Sequence, residues 1–385
     1  MEIKTLGELC NIVSGGTPLR SKQEYWNNGT IPWIKIGDMK GKYINSADEC
    51  ITQAGLDSSS AKMLPKGTIL YTIFATLGEV GILEINASTN QAIAGLTIKD
   101  NSQILSEYLY YYLKSKKGYV KTIGRGVAQS NINMSILKSF QVPLPTSLKQ
   151  KEIVDILDKI TNIIKYRQQE LQMLENLIKA RFVEMFGLVR NNVYGYKIKM
   201  LQDVCEPIKD GTHQTPTYVN DAQHGFKFLS SKDVTSGKIN WSKIKYIPSD
   251  LHEELYAKIK PKRGDILLAK NGTTGVAAVV ETDEIFDIYV SLALLRPIDM
   301  NSIYLWAAVN SADTKHQFDS SLKGIGVPNL HLGDIKKTKI IVPPLELQSQ
   351  FADFVTQIDK SKATVQKALD ETQLLFDSLM QKYFG

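Results

Sequence analysis

Two long stretches of the chain carry its clearest pattern of apolar and polar positions. From about Leu148 to Phe186, and again from about Leu347 to Phe384, the sequence contains neither Pro nor Gly. Within them apolar residues recur at alternating intervals of four and three. The first stretch places Ile153, Leu157, Ile160, Ile164, Arg167, Leu171, Leu174, Ile178, Arg181 and Met185 in one frame. The same frame, displaced along the chain, picks out Phe351, Val355, Ile358, Lys362, Val365, Leu369, Thr372, Phe376, Leu379 and Tyr383. A mean spacing of 3.5 predicts a long helix with one narrow apolar seam, which must pack on another helix. The simplest partner for each seam is the other helix of the same chain. Arg167, Arg181, Lys362 and Thr372 interrupt the seam and are expected to fix register or to reach water along their stems. Each stretch ends alike, in Met185-Phe186-Gly187 and Tyr383-Phe384-Gly385, where glycine suits a helix C-cap. About 38 helical residues at roughly 1.5 Å each make a rod of about 57 Å. Run antiparallel, two such helices would hold what precedes them apart with approximate two-fold symmetry.

What precedes each helix is a mixed pattern, and the second is a variant of the first. Leu6-Gly7-Glu8-Leu9-Cys10 and Gly15-Gly16-Thr17-Pro18 are echoed by Leu201-Gln202-Asp203-Val204-Cys205 and Asp210-Gly211-Thr212 with Pro216. Ile34 to Asp38 matches Leu229 to Asp233, and Lys66-Gly67-Thr68-Ile69-Leu70 matches Arg263-Gly264-Asp265-Ile266-Leu267. Gly78 and Glu84 correspond to Gly275 and Glu281. Short β-branched and aromatic runs such as Ile31 to Ile36 and Val276 to Val280 predict strands, and Tyr108 to Leu113 and Tyr304 to Val309 predict short helices. A Gly-rich loop follows each, Gly124-Arg125-Gly126-Val127 and Gly324-Ile325-Gly326-Val327. Proline hinges, Val142-Pro143-Leu144-Pro145 and Val342-Pro343-Pro344-Leu345, then lead into the long helices. The expected fold class is α+β: a first domain over 1–147, a long helix over 148–187, a second domain over 188–346 and a second long helix over 347–385.

Composition adds limits rather than a function. The 385 residues are too many for one ordinary core. Hydrophobic residues make up 43% and charged ones 22%, and the net charge of +6 permits a polyanionic partner without requiring one. Residues 1–147 hold 15 Lys and Arg against 11 Asp and Glu, residues 188–345 hold 20 against 17, and the helices are near balance. The excess therefore sits in the globular parts. Three cysteines, Cys10, Cys50 and Cys205, show no metal-type spacing, which fits a reducing cytoplasm. Neither a signal peptide nor an apolar run of membrane-spanning length is visible.

Catalytic signatures are missing. There is no phosphate-cradling Gly-x-x-x-x-Gly-Lys loop, no His-Glu-x-x-His, no Gly-x-Ser-x-Gly and no dinucleotide-type Gly-x-Gly-x-x-Gly opening a helix. The adenine-methylase motif is absent too, since Pro343-Pro344 stands between Val342 and Leu345. Asp265 with Lys270 only loosely resembles a nuclease acid–lysine pair, because Leu268 occupies the place of the second acid. The histidines His213, His224, His252, His316 and His331 are scattered and predict no metal site.

The duplicated domain, the proline segments and the paired heptads together resemble the specificity subunit of type I restriction–modification systems, over essentially the whole chain. The pieces that carry the resemblance are Ile208-Lys209-Asp210-Gly211-Thr212-His213 with Pro216, Gly264-Asp265-Ile266-Leu267, and Val342-Pro343-Pro344-Leu345 leading to Gln348. The first copy departs from them, with Ser14-Gly15-Gly16-Thr17 and Leu144-Pro145. The resemblance implies a non-catalytic, cytoplasmic subunit whose two target-recognition domains each read half of a split site on double-stranded DNA. It implies that the helices set the gap and dock two methyltransferase subunits, which bind S-adenosylmethionine, and that restriction subunits bringing ATP and Mg can join. No cofactor is expected on this chain and no membrane partner. Two alternatives remain at this point: a related system with a fused methyltransferase–nuclease partner, and a coiled-coil adaptor that binds no DNA.

If DNA is the ligand, glycine-rich loops bearing Arg, Lys, Asn, Gln and small hydroxyl residues are where base edges and phosphates would be met. In the first domain these are Ser14, Thr17, Lys35, Asn90, Gln91, Arg125 and Gln129. In the second they are Thr212, His213, Lys232, Lys270, Asn271, Thr273, Lys323 and Asn329. Arg125→Ala and Lys323→Ala are expected to weaken DNA binding by about 1–3 kcal/mol each while leaving the fold intact. Titration at several salt concentrations checks this; unchanged affinity and unchanged salt slope for both would refute the assignment of these loops.

Overall fold

The computed structural model describes residues 2–124, 131–220, 225–234, 237–322 and 329–385. The chain divides into two compact units, Met1–Gln168 with Ala368–Gly385, and Gln169–Lys367. Each unit therefore combines one globular half with a part of both long helices. The first long helix is Ser147–Phe186 and the second Leu345–Phe384, each 40 residues.

In the first unit the chain begins as strand Glu2–Thr5. Thr5 then caps the short helix Leu6–Leu9: its hydroxyl accepts from the Glu8 amide, and Glu8 reaches back to the Thr5 amide. Hydrogen bonds from the Thr5 hydroxyl first, then the Thr5 amide, hold the Glu8 carboxyl below its usual range. A five-stranded sheet follows, in the order Cys10–Ser14, Ile93–Ile98, Ile69–Thr72, Val80–Leu83 and Tyr43–Ile44. A three-stranded sheet is built from Cys50–Ile51, Ile31–Ile34 and Ser88–Thr89.

The second unit repeats this plan. Its four-stranded sheet runs Lys209–Asp210, Leu292–Leu295, Ile266–Ala269 and Ala277–Val279, and its three-stranded sheet Lys245–Ile247, Phe226–Leu229 and Phe286–Ile288. Gly78 and Gly275 stand at the same point of the equivalent hairpins with φ of 80° and 85°, a backbone conformation that strains other residues.

The proline segments differ from the hinges expected of them. Gln141–Leu144 is a strand paired antiparallel with Glu2–Thr5, with Pro143 opposite Ile3. Lys339–Val342 pairs likewise with Lys197–Met200, and Pro343 and Pro344 follow it directly into the helix. A two-stranded ladder has only edge strands, where a residue lacking an amide proton is tolerated. The segment is therefore anchored. A buried glutamine ties each anchor to its helix: the Gln150 side chain accepts from the Leu105 amide and donates to the Gln103 and Pro145 carbonyls. Gln348 does the same in the second unit, accepting from the Asn301 amide and donating to the Pro343 carbonyl.

Of the twenty heptad positions named above, none is exposed. In the first unit Ile153, Leu157, Ile160 and Phe376 share one core with Tyr108, Leu109 and Tyr111 from the helix Ser106–Ser115, with Ile164 and Leu379 packed against it. That short helix is buried from Tyr108 to Leu113 and so is packed on every side. In the second unit Ile178 and Val355 enter a core with Phe182, Phe186, Phe351 and Tyr304, and Ile358 packs against it. Phe186 lies 5.5 Å from Phe351, Arg181 covers Phe354, and Glu175 bonds Lys362 at 3.4 Å. As one residue number rises the facing one falls, so the helices run antiparallel. Leu171, Leu174, Val365 and Leu369 are partly or fully buried along the same stripe. Gly187 ends the first helix with φ 73°, its amide donating to the Val183 carbonyl.

Gln348→Leu keeps the volume but leaves the Asn301 amide and the Pro343 carbonyl without their partner. A loss of about 1–3 kcal/mol is expected, read as a lower chemical-denaturation midpoint. A midpoint equal to that of the unaltered chain would mean that the glutamine anchors nothing.

Candidate nucleic-acid interface

Five of the first domain's seven candidates converge. Strand Cys10–Ser14 places Ser14 opposite Ala94, and the chain continues beside the turn before that strand: the Gly15 amide donates to the Ile93 carbonyl and the Gly16 amide to the Thr89 carbonyl. A side chain at Gly15 would put its Cβ 2.2 Å from the Asn90 carbonyl, so only glycine permits this approach. Thr17 donates to Gln91, and the Asn90 amide bonds the Ile34 carbonyl next to Lys35. Ser14, Thr17 and Gln91 are exposed and Asn90 is half-buried. Lys35 is not a free cation. Its ammonium bonds Glu49 at 2.5 Å, which raises the Lys35 pKa. Hydrogen bonds from Arg20 first, then Lys35, hold the Glu49 carboxyl below its usual range. Arg125 and Gln129 lie outside the described residues.

The second domain gathers its candidates at the same strand ends. Thr212 bridges Tyr289, and a Cβ at Gly211 would run into the Ile288 carbonyl as one at Gly15 would into those of Thr89 and Asn90. The Lys270 amide bonds the Ser291 carbonyl, and Asn271 bridges Asn329. His213, Thr273 and Lys232 are exposed nearby along the chain, and Thr212, Asn271 and Asn329 are half-buried. Lys270 is buried, 6% exposed, with its ammonium on the Asp210 carboxylate. Lys323 lies outside the described residues, as does His224.

Asp265 and Lys270 do not form a nuclease-like pair. Asp265 binds Arg296 through two 2.7 Å bonds and caps the Lys262 amide. His252 is structural as well, stacked on Phe226 at 3.6 Å and bonded to the buried Asp287 at 2.6 Å.

Sequence reasoning missed a further feature of both domains, a cation held over an aromatic ring. The Arg20 guanidinium lies 3.7 Å from the Trp26 centroid and 2.5 Å from Glu49, with Trp33 edge-on to Trp26. The ring nitrogen of Trp33 donates to the Gly16 carbonyl, which fixes the platform to the glycine loop. In the second domain Phe228 occupies the strand position of Trp33, and Lys245 lies 3.9 Å over Tyr218 beside it. Such a cation keeps donors toward solvent while its orientation is restricted. Only an Arg or Lys near aromatic residues in a non-periodic segment marked these places in sequence.

A family model described as the type I restriction modification DNA specificity domain matches residues 1–176 and again 195–372. The chain belongs to this specificity family. It is 26% identical to the type I restriction enzyme MjaIX specificity subunit of Methanocaldococcus jannaschii, over 99% of this chain and 92% of that protein. It is 29% identical to the EcoR124I/EcoR124II specificity subunit of Escherichia coli over 46% of this chain and 48% of that one. Among solved structures, the type I restriction–modification S subunit from M. genitalium superposes with a TM-score of 0.54 at 16% identity, over all of this chain and 96% of that one. A second, from a study of complex assembly and conformational transition of the type I system, gives 0.60 at 16% identity, covering 100% and 97%. The specificity-family fold thus extends over both domains and both long helices. Among the described residues no helix is long and apolar enough to cross a membrane.

Proposed function

We propose that this chain is the DNA-reading subunit of a type I restriction–modification complex, each globular domain recognising one half of a split site on double-stranded DNA. The observation that carries the reading is the repetition of one glycine-anchored loop frame with different side chains on it. Ser14, Thr17 and Gln91 stand where the second domain offers Asp210, His213 and Val290. Equal scaffolds with unequal readers are what a bipartite, non-repeating target demands. The relatives' names supply the role of specificity subunit; methyl transfer and cleavage belong to partners. Two methyltransferase subunits would bring S-adenosylmethionine, and translocase–nuclease subunits ATP and Mg. The boundaries 1–147 and 188–346 delimit the two readers, and the long helices act as spacer and as docking surface.

Reconstitution tests this directly. The chain alone with S-adenosylmethionine is expected to transfer no methyl group, and the chain with its methyltransferase partner to methylate a split site. Replacing residues 1–147 by another family member's domain should change one half of that site only. Altered sequence in both halves, in a folded complex, would speak against independent reading.

The helices' role as a ruler is tested by length. One inserted residue rotates a seam by about 100° and should destabilise the chain. Seven residues inserted in each helix, after Gln168 and after Gln366, keep the heptad frame and add roughly 10 Å, about three base pairs of rise. The gap between half-sites should widen by that amount while both half-site sequences stay the same. An unchanged gap in an active complex would falsify the ruler and leave the helices as docking surfaces.

A further inference from the structure

The two domains differ sharply in chemistry at a place where their backbones agree. In the first, the Ile73 amide donates to the Ala92 carbonyl, the Ile73 carbonyl accepts from the Ile132 amide, and Phe74 bridges Asn131. In the second, Lys270 makes the same two bonds, to Ser291 and from Leu330, and Asn271 bridges Asn329. Ser14 and Asp210 correspond by register, facing Ala94 and Ala293. So Ser14, Ile73 and Phe74 in one copy become Asp210, Lys270 and Asn271 in the other.

The substituted residues line a cleft of about 530 Å³, completed by His213, Asn329 and His331 and by the apolar Val290 and Leu332. His331 sits at a helix N-cap yet makes no capping bond, whereas Asn133, its counterpart, caps its helix through its side chain. The Asn271 amide oxygen is buried and has no hydrogen-bond partner among the described residues. A buried ion pair and an unsatisfied acceptor are costly unless something completes them.

We propose that this cleft is the base-reading site of the second domain, taking a purine edge in the major groove. Within it Asn271 supplies the contact and the Asp210–Lys270 pair supplies position and selectivity. The proposal rests on the DNA-reading function above. A phosphate is the poorer occupant, because the Asp210 carboxylate neutralises the lysine and would repel it. A purine edge presents acceptors and, in adenine, an adjoining amino donor. A side-chain amide offers the complementary donor and acceptor together, and the two ammonium protons not given to Asp210 can reach further acceptors. The first domain, with Ile73 and Phe74 here, lacks this reader and must discriminate by other groups, so the cleft governs one half-site alone.

The test uses the full chain in complex with its methyltransferase partner and measures binding to a library of split sites. Asp210→Ser with Lys270→Ile imports the first domain's residues and removes both charges at once, so that neither is left buried alone. Asn271→Ala is the milder companion, at a half-buried position. Each is expected to lose about five- to 150-fold discrimination at one or two base pairs of one half-site, leaving the other half and the salt slope unchanged. Folded variants that keep full discrimination overturn the proposal. So does uniform weakening across all sequences with a salt slope lowered by about one, the mark of a phosphate contact. An unaltered chain that prefers no split site overturns the function itself; one that reads a split site no differently from the variants overturns only the cleft.

Discussion

The constraint on which the rest depends is the width of the apolar stripe on the two long helices. Over their middle turns that stripe is a single heptad seam, with Ile163, Tyr166 and Met173 beside it left exposed. A helix so narrowly apolar gains too little by standing alone and becomes stable by pairing. Antiparallel pairing brings the end of one helix beside the beginning of the other, and there the stripe widens. Phe182 and Phe186 are buried with Phe351 and Tyr304, and Val154 and Leu157 are buried in one core with Met380 and Phe384. The globular cores are thus continuous with the helix pair. Tyr304 stacks on Phe182 and donates its hydroxyl to the Ile341 carbonyl in the anchoring strand, so one residue joins helix, core and anchor.

The helices were fully legible in sequence because their signal is periodic and local. Arg167, Arg181, Lys362 and Thr372 keep their places in the frame although they are polar: Lys362 bonds Glu175, and Arg181 lies over Phe354 with Glu184 beside it, so these two stems pack while their charges find partners, whereas the Arg167 Nε is buried without a hydrogen-bond partner among the described residues. The proline segments were misread as hinges. Proline excludes helix in both settings, and nothing in Val142-Pro143-Leu144 announces that Glu2–Thr5, far away in sequence, pairs with it. Local rules report what a residue cannot do; the partner strand is decided by tertiary structure.

The candidate site was legible to a similar depth. Glycines betrayed the loops, since Gly15 and Gly211 permit approaches that no Cβ survives. The state of the charges was invisible. Lys35 and Lys270 are candidates for DNA contact by residue type and loop, yet one is bound to Glu49 and the other is buried on Asp210, 60 residues away. Ion pairs between distant segments leave no periodic trace. Arg20 and Lys245 were missed for the converse reason: their ring contacts arise between residues in irregular chain, where spacing carries no information.

A duplicated reader must change what it reads without changing how it folds, and the backbone bonds around Ile73 and Lys270 indicate how that separation is made. Position, strand pairing and burial are fixed there by main-chain hydrogen bonds that any residue except proline can make. The side chain is then free to be aliphatic or cationic, provided that the cation brings its own counter-charge. Asp210 is that counter-charge, and it stands where the first copy has serine. Substituting Lys270 alone would leave a largely buried carboxylate with only the exposed His213 imidazole, 3.5 Å away, beside it, at a cost of up to about 3–5 kcal/mol. Changing both together costs far less. On the proposed reading, specificity at this site changes in coupled steps: a single substitution is penalised through stability before it is ever tested against DNA.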